Sequence, residues 1–309
     1  MTKYLTRFFL LLLLTVTFCV SCDQPKKKSN QLQVVATTGM IADLVENIGK
    51  EFVDVTALMG PGVDPHLYRT TEGDVRRLSG ADIIFYNGLH LESKMTDILE
   101  KMSAKQTVVA ITKSIASIEL LESEQYPGMH DPHVWFDVRL WAQTIDVVKD
   151  VLIQKDAKNK QYYIQNAAVL HGVFRKLDED IRKEIETINE ADRVLVTAHD
   201  AFAYFGQAYG LDVRGLQGMN TQAEAGTKDV QSLAQFIVEE QVPAIFIESS
   251  ISDKYLIAVQ KAVEAKGAMV RIGGSLYSDA MGLPGTETGT YDGMMRHNIY
   301  QIVEALKKD

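Results

Sequence analysis

Cysteine is nearly absent from this sequence of 309 residues: its two copies, Cys19 and Cys22, both lie close to the start. The body of the chain can therefore contain no disulfide and no thiolate metal site, so any metal ion would need histidine and carboxylate ligands. Three catalytic motifs are also missing, namely His-Glu-x-x-His, Gly-x-Ser-x-Gly and the Walker phosphate-binding loop. Basic residues number 32 against 41 acidic ones, and the net charge of −9 argues against nucleic acid as a partner.

The first 21 residues have the three parts of a secretory signal peptide. Lys3 and Arg7 provide the charge, an apolar run extends from residue 8 to residue 14, and the small Ser21 precedes Cys22. The apolar run is shorter than the roughly 20 residues that cross a membrane as a helix. We therefore predict that residues 1–21 are a cleaved signal peptide and that the chain is exported.

Residues 19 to 22, Cys-Val-Ser-Cys, resemble a bacterial lipobox, with Cys19 in the place where leucine is usual. Cleavage would leave Cys22 as an acylated N-terminus, and two or more acyl chains hold a protein stably on a membrane. Residues 22–33 would then be the lipidated cysteine and a polar tether. An ordinary soluble signal with a spare thiol is the alternative. We expect a membrane-anchored lipoprotein that faces the periplasm or the cell exterior.

Short apolar runs alternate with amphipathic segments along the rest of the chain, which indicates an α/β protein with mainly parallel sheets. The order of these segments in residues 34–158 is repeated in residues 189–309. Between them, residues 159–188 carry apolar side chains at spacings of three and four, which predicts one long amphipathic helix. Two helices broken at Gly172 are the alternative. We predict two Rossmann-like lobes joined by one long rigid helix, with a ligand site in the cleft between the lobes.

Four side chains that can bind a metal ion lie in predicted loops, most of them directly after strands: His66, His133, His199 and Asp279. Ligands bind outside the carboxyl ends of the strands in open parallel sheets, so two facing lobes would bring these loops together. Three imidazoles and one carboxylate are donors that zinc accepts at about 2.0 to 2.2 Å. Zinc fits this set best, while a bidentate Asp279 would also suit manganese or iron.

Other residues are assigned supporting roles. A histidine that binds a metal usually donates its second ring N–H to a carboxylate or carbonyl, and we expect Glu248 and Asp200 to orient imidazoles in this way. A buried ion pair for Glu248 and a helix cap for Asp200 are the alternatives. Structural or surface roles are expected for the remaining histidines: His90, His130, His171 and His297. For His130, assistance in metal capture is the alternative.

Four motifs surround the candidate ligands: Val-Asp-Pro-His-Leu-Tyr at 63–68, Asp-Pro-His-Val-Trp-Phe-Asp at 131–137, Thr-Ala-His-Asp-Ala-Phe at 197–202 and Ser-Asp-Ala-Met-Gly at 278–282. With them, the whole mature chain resembles the metal-specific solute-binding lipoproteins of ABC importers, the TroA-like group. The resemblance implies that the four side chains bind one divalent ion: zinc first, then manganese or iron. It also implies a monomeric carrier that delivers the ion to an ABC permease and its ATPase.

Two other functions stay open from the sequence. A metal-dependent hydrolase also uses histidine and aspartate ligands, but it needs an open position for water and a nearby general base. Some TroA-like proteins were first described as surface adhesins, so the resemblance also allows a role in cell adhesion. For release of the ion, we expect the loop that carries Asp279 to move on flanking glycines: Gly273, Gly274, Gly282 and Gly285.

Overall fold

The computed structural model describes residues 31–123 and 126–307. The predicted signal peptide, Cys22 and all but the last part of the predicted tether lie outside these residues. No helix among the described residues is both long enough and apolar enough to cross a membrane.

The first lobe contains four parallel strands in the sheet order β2-β1-β3-β4. The strands are β1 (Leu32–Ala36), β2 (Val53–Ala57), β3 (Ile83–Tyr86) and β4 (Thr107–Ala110). The connecting helices are α1 (Gly39–Gly49), α2 (Glu72–Ser79) and α3 (Thr96–Ser103). The central strands β1 and β3 are rich in Val, Ile and Phe, because helices cover both faces of a parallel sheet.

The second lobe repeats this arrangement with the sheet order β6-β5-β7-β8. The strands are β5 (Val194–His199), β6 (Asp212–Gln217), β7 (Ala244–Glu248) and β8 (Arg271–Leu276). The connecting helices are α6 (Ala203–Tyr209), α7 (Thr227–Glu239) and α8 (Lys254–Ala265). In each sheet, the connections from two adjacent strands lead to opposite sides of the sheet order: these strands are β1 and β3 in the first lobe and β5 and β7 in the second. The carboxyl ends of such a pair of strands form a crevice in which ligands bind.

Helices α4 (Val138–Lys155) and α5 (Lys160–Ile185) lie between the two sheets in the sequence. Helix α5 has 26 residues, which corresponds to a length of about 39 Å. It runs unbroken through Gly172, where an added side chain would meet nothing within 4 Å. The buried stripe of α5 has the spacing of threes and fours that made this helix predictable: Tyr163, Ala167, Leu170, Phe174, Leu177, Ile181 and Ile185. The predicted fold class is confirmed.

The last described helix, α9 (Tyr291–Leu306), returns to pack against α5 and α1. The ring of Tyr291 lies 5.9 Å from that of Trp141 and 4.9 Å from that of Phe174. One continuous hydrophobic cluster therefore includes residues of both lobes. The two lobes share this core along helix α5.

Two of the glycines that were expected to flank the loop carrying Asp279 lie in a strand. Strand β8 runs from Arg271 to Leu276 and includes both Gly273 and Gly274. A side chain at Gly273 would lie 2.8 Å from Ala305 of α9, and Gly274 has a φ of +146° that favours glycine. The pair lets β8 pack closely against α9, so Gly273 and Gly274 lie in a strand and not beside the loop, whereas movement of the Asp279 loop stays a prediction.

Candidate metal centre

Four buried side chains converge at the carboxyl ends of the two sheets: His66, His133, His199 and Asp279. One ligand atom from each lies within 4.8 Å of the others. The most exposed of the four, Asp279, has only 2% of its surface accessible. The structure thus brings together the four side chains selected from the sequence.

The distances in this cluster fit a small cation. The Nε2 atom of His66 lies 3.3 Å from His133 Nε2 and 3.6 Å from Asp279 Oδ2. The Asp279 carboxylate also lies 3.4 Å from His133 Nε2 and 3.3 Å from His199 Nε2. Four atoms that surround zinc as a tetrahedron at about 2.0 to 2.1 Å are about 3.3 Å apart. The donor set therefore has nearly the spacing that a bound ion requires.

The backbone positions each of these side chains differently. His199 is the last residue of β5, and Asp279 follows the end of β8 closely. His133 directly precedes a short 3-10 turn, Val134–Phe136, which leads into α4. His66 lies in the loop between β2 and α2. Strand ends and loops of both lobes therefore contribute to one cluster.

Glu248 fixes the orientation of His199. It ends strand β7, the neighbour of β5, and its Oε2 lies 2.6 Å from His199 Nδ1. Its other oxygen, Oε1, accepts the backbone N–H of His199 at 2.9 Å. With Nδ1 bound to the carboxylate, Nε2 is the ring nitrogen that faces the cluster, as expected for a histidine that binds a metal.

Asp131 fixes His133 in the same way, although the sequence analysis did not select it. Its Oδ1 lies 2.6 Å from His133 Nδ1 and accepts the backbone N–H of His133 at 2.9 Å. The available signal was the repeated tripeptide Asp-Pro-His, since Asp64 also precedes His66 by two residues. The Oδ1 atom of Asp64 accepts the backbone N–H of His66 at 2.8 Å.

Asp200 directly follows His199 at the end of β5. Helix α6 begins at Ala203 after the cap residue Phe202, so Asp200 does not cap it. The backbone N–H of Asp200 donates to Gln217 at the end of β6, and Asp200 lines a cavity together with Asp131. An orienting role for Asp200 stays a prediction, whereas Glu248 and Asp131 contact the rings of His199 and His133.

Burial and neighbouring charges set the ionisation of the cluster. Burial lowers the pKa of His66 to about 3. Burial also opposes protonation of His133, but Asp131 and then Asp279 raise its pKa to about 9. Burial would raise the pKa of Asp279, but His199 and His133 hold that pKa well below its usual value. The cluster therefore contains a carboxylate anion and proton-binding imidazoles, and a metal ion entering it would displace protons.

The profile of one protein family, described as zinc-uptake complex component A, periplasmic (ZnuA), matches residues 34–305. The chain belongs to the ZnuA family. Proteins of this family are solute-binding components of ABC transporters and not enzymes, which removes the metal-dependent hydrolase as an alternative.

Relatives of this ZnuA-family chain bear the names of two metals. The manganese-binding lipoprotein MntA of Bacillus subtilis is 46% identical over 94% of this chain and 95% of its own length. The manganese ABC transporter substrate-binding lipoprotein PsaA of Streptococcus anginosus is 30% identical over 97% of this chain and 98% of its own. The solved structure of the periplasmic zinc-binding protein TroA of Treponema pallidum matches with a TM-score of 0.88 at 47% identity, covering 90% of this chain and all of that one.

The other histidines of this ZnuA-family member lie outside the cluster. Among the described residues, no second group of three or more His, Cys, Asp or Glu side chains is placed to hold a metal ion. His297 Nε2 lies 3.0 Å from the carbonyl of Ser275, and His171 Nε2 lies 3.5 Å from Asp146. His130 Nε2 lies 3.3 Å from the hydroxyl of Ser117, and His90 is exposed on the loop after β3.

Proposed function

We propose that this protein captures one divalent transition-metal ion with His66, His133, His199 and Asp279 and delivers it to the permease and ATPase of an ABC importer. One observation supports the site above all others. Both carboxylate oxygens of the buried Asp279 face imidazoles, and neither accepts a hydrogen bond from the described residues. Burial of such a carboxylate costs free energy unless a partner compensates it, and a divalent cation would provide that partner for both oxygens.

We propose that zinc is the ion bound most tightly and that manganese is the next cargo, with iron also accepted. Three nitrogens and one oxygen suit tetrahedral zinc, and zinc binds more tightly than manganese in most nitrogen and oxygen sites. Manganese is favoured by a separate feature, since Asp279 Oδ1 faces His133 and Oδ2 faces His66 and His199. If both oxygens bind the ion, the site supplies five donor atoms.

Elemental analysis of the purified protein tests the site directly. We expect about one equivalent of zinc or manganese per monomer after loading, and loss of that metal in the double variant His199→Ala, Asp279→Ala. The variant His171→Ala is the matched control, because this histidine lies beside Asp146 outside the cluster. Retention of a full equivalent by the double variant would contradict the proposed ligands, and absence of metal from the loaded wild type would contradict the proposed function.

We also propose that Cys22 carries the lipid anchor and that residues 22–33 are the tether of a carrier facing the periplasm or cell exterior. The names of MntA and PsaA, both lipoproteins, support this proposal. Labelled palmitate should enter the wild type and the Cys19→Ala variant, and it should not enter Cys22→Ala. Equal labelling of Cys22→Ala and wild type would rule out this anchor.

A further inference from the structure

The segment that carries His133 is bonded at several points to the second lobe. The hydroxyl of Tyr204, from α6, donates to the carbonyl of Asp131 at 3.0 Å. The hydroxyl of Tyr291, from α9, donates to the carbonyl of Trp135 at 2.6 Å. His133 lies between these two contacts, which bind its segment to the second lobe, and the side chain of Asn87 in the first lobe donates to the carbonyl of Pro132 at 3.0 Å.

Asp279 is joined to the same segment. The indole N–H of Trp135 donates to the carbonyl of Ser278 at 3.1 Å, directly before Asp279. The hydroxyl of Ser278 lies 3.0 Å from that of Ser250. Trp135, Ser278 and Asp279 are all at least 98% buried. These contacts fix the positions of His133 and Asp279 relative to each other. Glu248 holds His199 beside them within the second lobe.

His66 reaches the second lobe by a different route. The hydroxyl of Thr221 donates to Asp64 Oδ2 at 2.6 Å, while Asp64 Oδ1 accepts the backbone N–H of His66. Thr221 lies in the connection between β6 and α7 and is only 7% exposed. A chain of two hydrogen bonds thus links the second lobe to the backbone of a candidate ligand in the first lobe.

Two exposed hydrogen bonds lie next to the bond between Thr221 and Asp64. The side chain of Gln222 accepts from Lys94 Nζ at 2.8 Å and donates to the hydroxyl of Ser93 at 2.9 Å. Ser93 and Lys94 belong to the first lobe, between β3 and α3. Thr221 and Gln222, which we call the latch, therefore form hydrogen bonds across the two lobes, Thr221 through a partly buried bond and Gln222 through exposed bonds.

We propose that Thr221 is a positioning residue that controls release of the metal ion, because through Asp64 it keeps His66 aligned with the other three ligands. When the bond between Thr221 and Asp64 breaks, His66 loses its alignment, while the contacts of Trp135 with Ser278 and of Glu248 with His199 keep the other three ligands together. The ion then loses one of its four protein ligands. This inference rests on the proposed metal site and adds to it the residue that sets how long the ion is held.

Zinc release from the loaded full-length protein measures this role. The protein is mixed with excess EDTA and the dissociation of zinc is followed over time. A buried hydrogen bond to a charged group contributes enough free energy that Thr221→Val should release zinc about tenfold faster or more. Thr221→Ser keeps the hydroxyl and should release zinc at nearly the wild-type rate. Equal rates for wild type and Thr221→Val would overturn the inference.

Two further measurements separate positioning from folding stability. The thermal midpoint of the metal-free Thr221→Val protein should lie only about a few degrees below that of the wild type, because one lost hydrogen bond is a small part of the free energy of unfolding. Gln222→Ala removes exposed bonds across the same gap and should accelerate release less than Thr221→Val. The role assigned to Thr221 would be overturned if the metal-free Thr221→Val protein were destabilised enough to account for its faster zinc release. A larger acceleration of zinc release by Gln222→Ala than by Thr221→Val would also overturn it.

A double-mutant cycle with Asp64→Ala tests the proposed connection. In that background the hydroxyl of Thr221 has lost its acceptor, so adding Thr221→Val should not accelerate zinc release further. Additive effects of the two changes would show that Thr221 acts by another route and would overturn the inference. Failure of the wild type to bind zinc would instead remove the proposed function, whereas tight binding with no effect of Thr221→Val would remove only this inference.

Discussion

The two Asp-Pro-His tripeptides end in the same cluster, yet their aspartates make different contacts. Asp131 accepts hydrogen bonds from both the backbone and the ring of His133. Asp64 accepts from the backbone of His66, and its second oxygen accepts from Thr221 of the other lobe. Asp64 therefore connects the two lobes, whereas Asp131 orients one ring.

The pKa values of the two histidines also differ, although both belong to the same Asp-Pro-His motif. Burial lowers the pKa of His66 to about 3, while Asp131 and Asp279 outweigh burial and raise the pKa of His133 to about 9. The same three residues thus give one imidazole that stays neutral and one that binds a proton. Burial and the imidazoles of His133 and His199 keep the pKa of His66 low, whereas the carboxylate of Asp131 at the ring of His133 raises the pKa of that histidine.

The largest expected effect comes from removing the carboxylate that both tripeptides face. Asp279→Ala should weaken zinc binding by about 1000-fold or more, because the ion loses its only anionic ligand. Isothermal titration calorimetry against a competing chelator measures this loss. Affinity within tenfold of the wild type would mean that the three imidazoles bind the ion without Asp279.

The next effect compares the two aspartates. Asp131→Asn should weaken zinc binding about 10- to 100-fold, because the ring of His133 loses the carboxylate that orients it. Asp64→Asn should have a smaller effect, since an amide oxygen can still accept the backbone N–H of His66. The same titration compares the two variants, and equal losses would show that the different contacts of the two aspartates do not matter for binding.

A buried aspartate without an imidazole partner provides the comparison for pH. Burial raises the pKa of Asp43 from 3.8 to about 6, although its carboxylate accepts the backbone N–H of Tyr291. The folded state then binds a proton more tightly than the unfolded state, so its stabilising contribution is complete below pH 3.8 and is lost as the pH rises through 6. Asp43→Asn should therefore unfold like the wild type near pH 4.

Above pH 6 the same variant should be more stable than the wild type, by about 2 to 3 kcal/mol. Urea unfolding of both metal-free proteins at several pH values gives the difference. A constant difference across this range would mean that burial does not shift the pKa of Asp43.

The smallest expected effect concerns the residue before each tripeptide, which is Val63 in the first and His130 in the second. His130→Val makes the two four-residue sequences identical. Since His130 contacts Ser117 and not the cluster, zinc affinity should stay within about twofold and the free energy of unfolding within about 0.5 kcal/mol. A clear loss of affinity at equal stability would instead support a role of His130 in capture.

The sequence carried enough information to select the four clustered side chains, because His66, His199 and Asp279 lie after predicted strands and His133 lies just before a predicted helix. His199 ends the apolar strand β5, and the long helix was evident from its stripe of buried residues. The two glycines of β8 were misinterpreted because glycine pairs also occur in turns, and only the approach of α9 explains them in a strand.

The contacts that orient the ligands were harder to predict. Asp131 reaches the ring of His133 only because the backbone between them turns back on itself. Thr221 is 157 residues away from Asp64 in the chain, and no local pattern in the sequence indicates that pairing. Spacing along the chain predicts which residues share a helix or strand face, but it does not predict which loops of two lobes meet.

The position of α9 also affects how the chain matures. The core beside Trp141 and Phe174 is completed by Tyr291 and the helix that it begins. During synthesis, the first lobe therefore emerges long before the helix that seals it. A ribosome-bound chain would keep this part of the apolar surface exposed until residues 291–306 of α9 have been made.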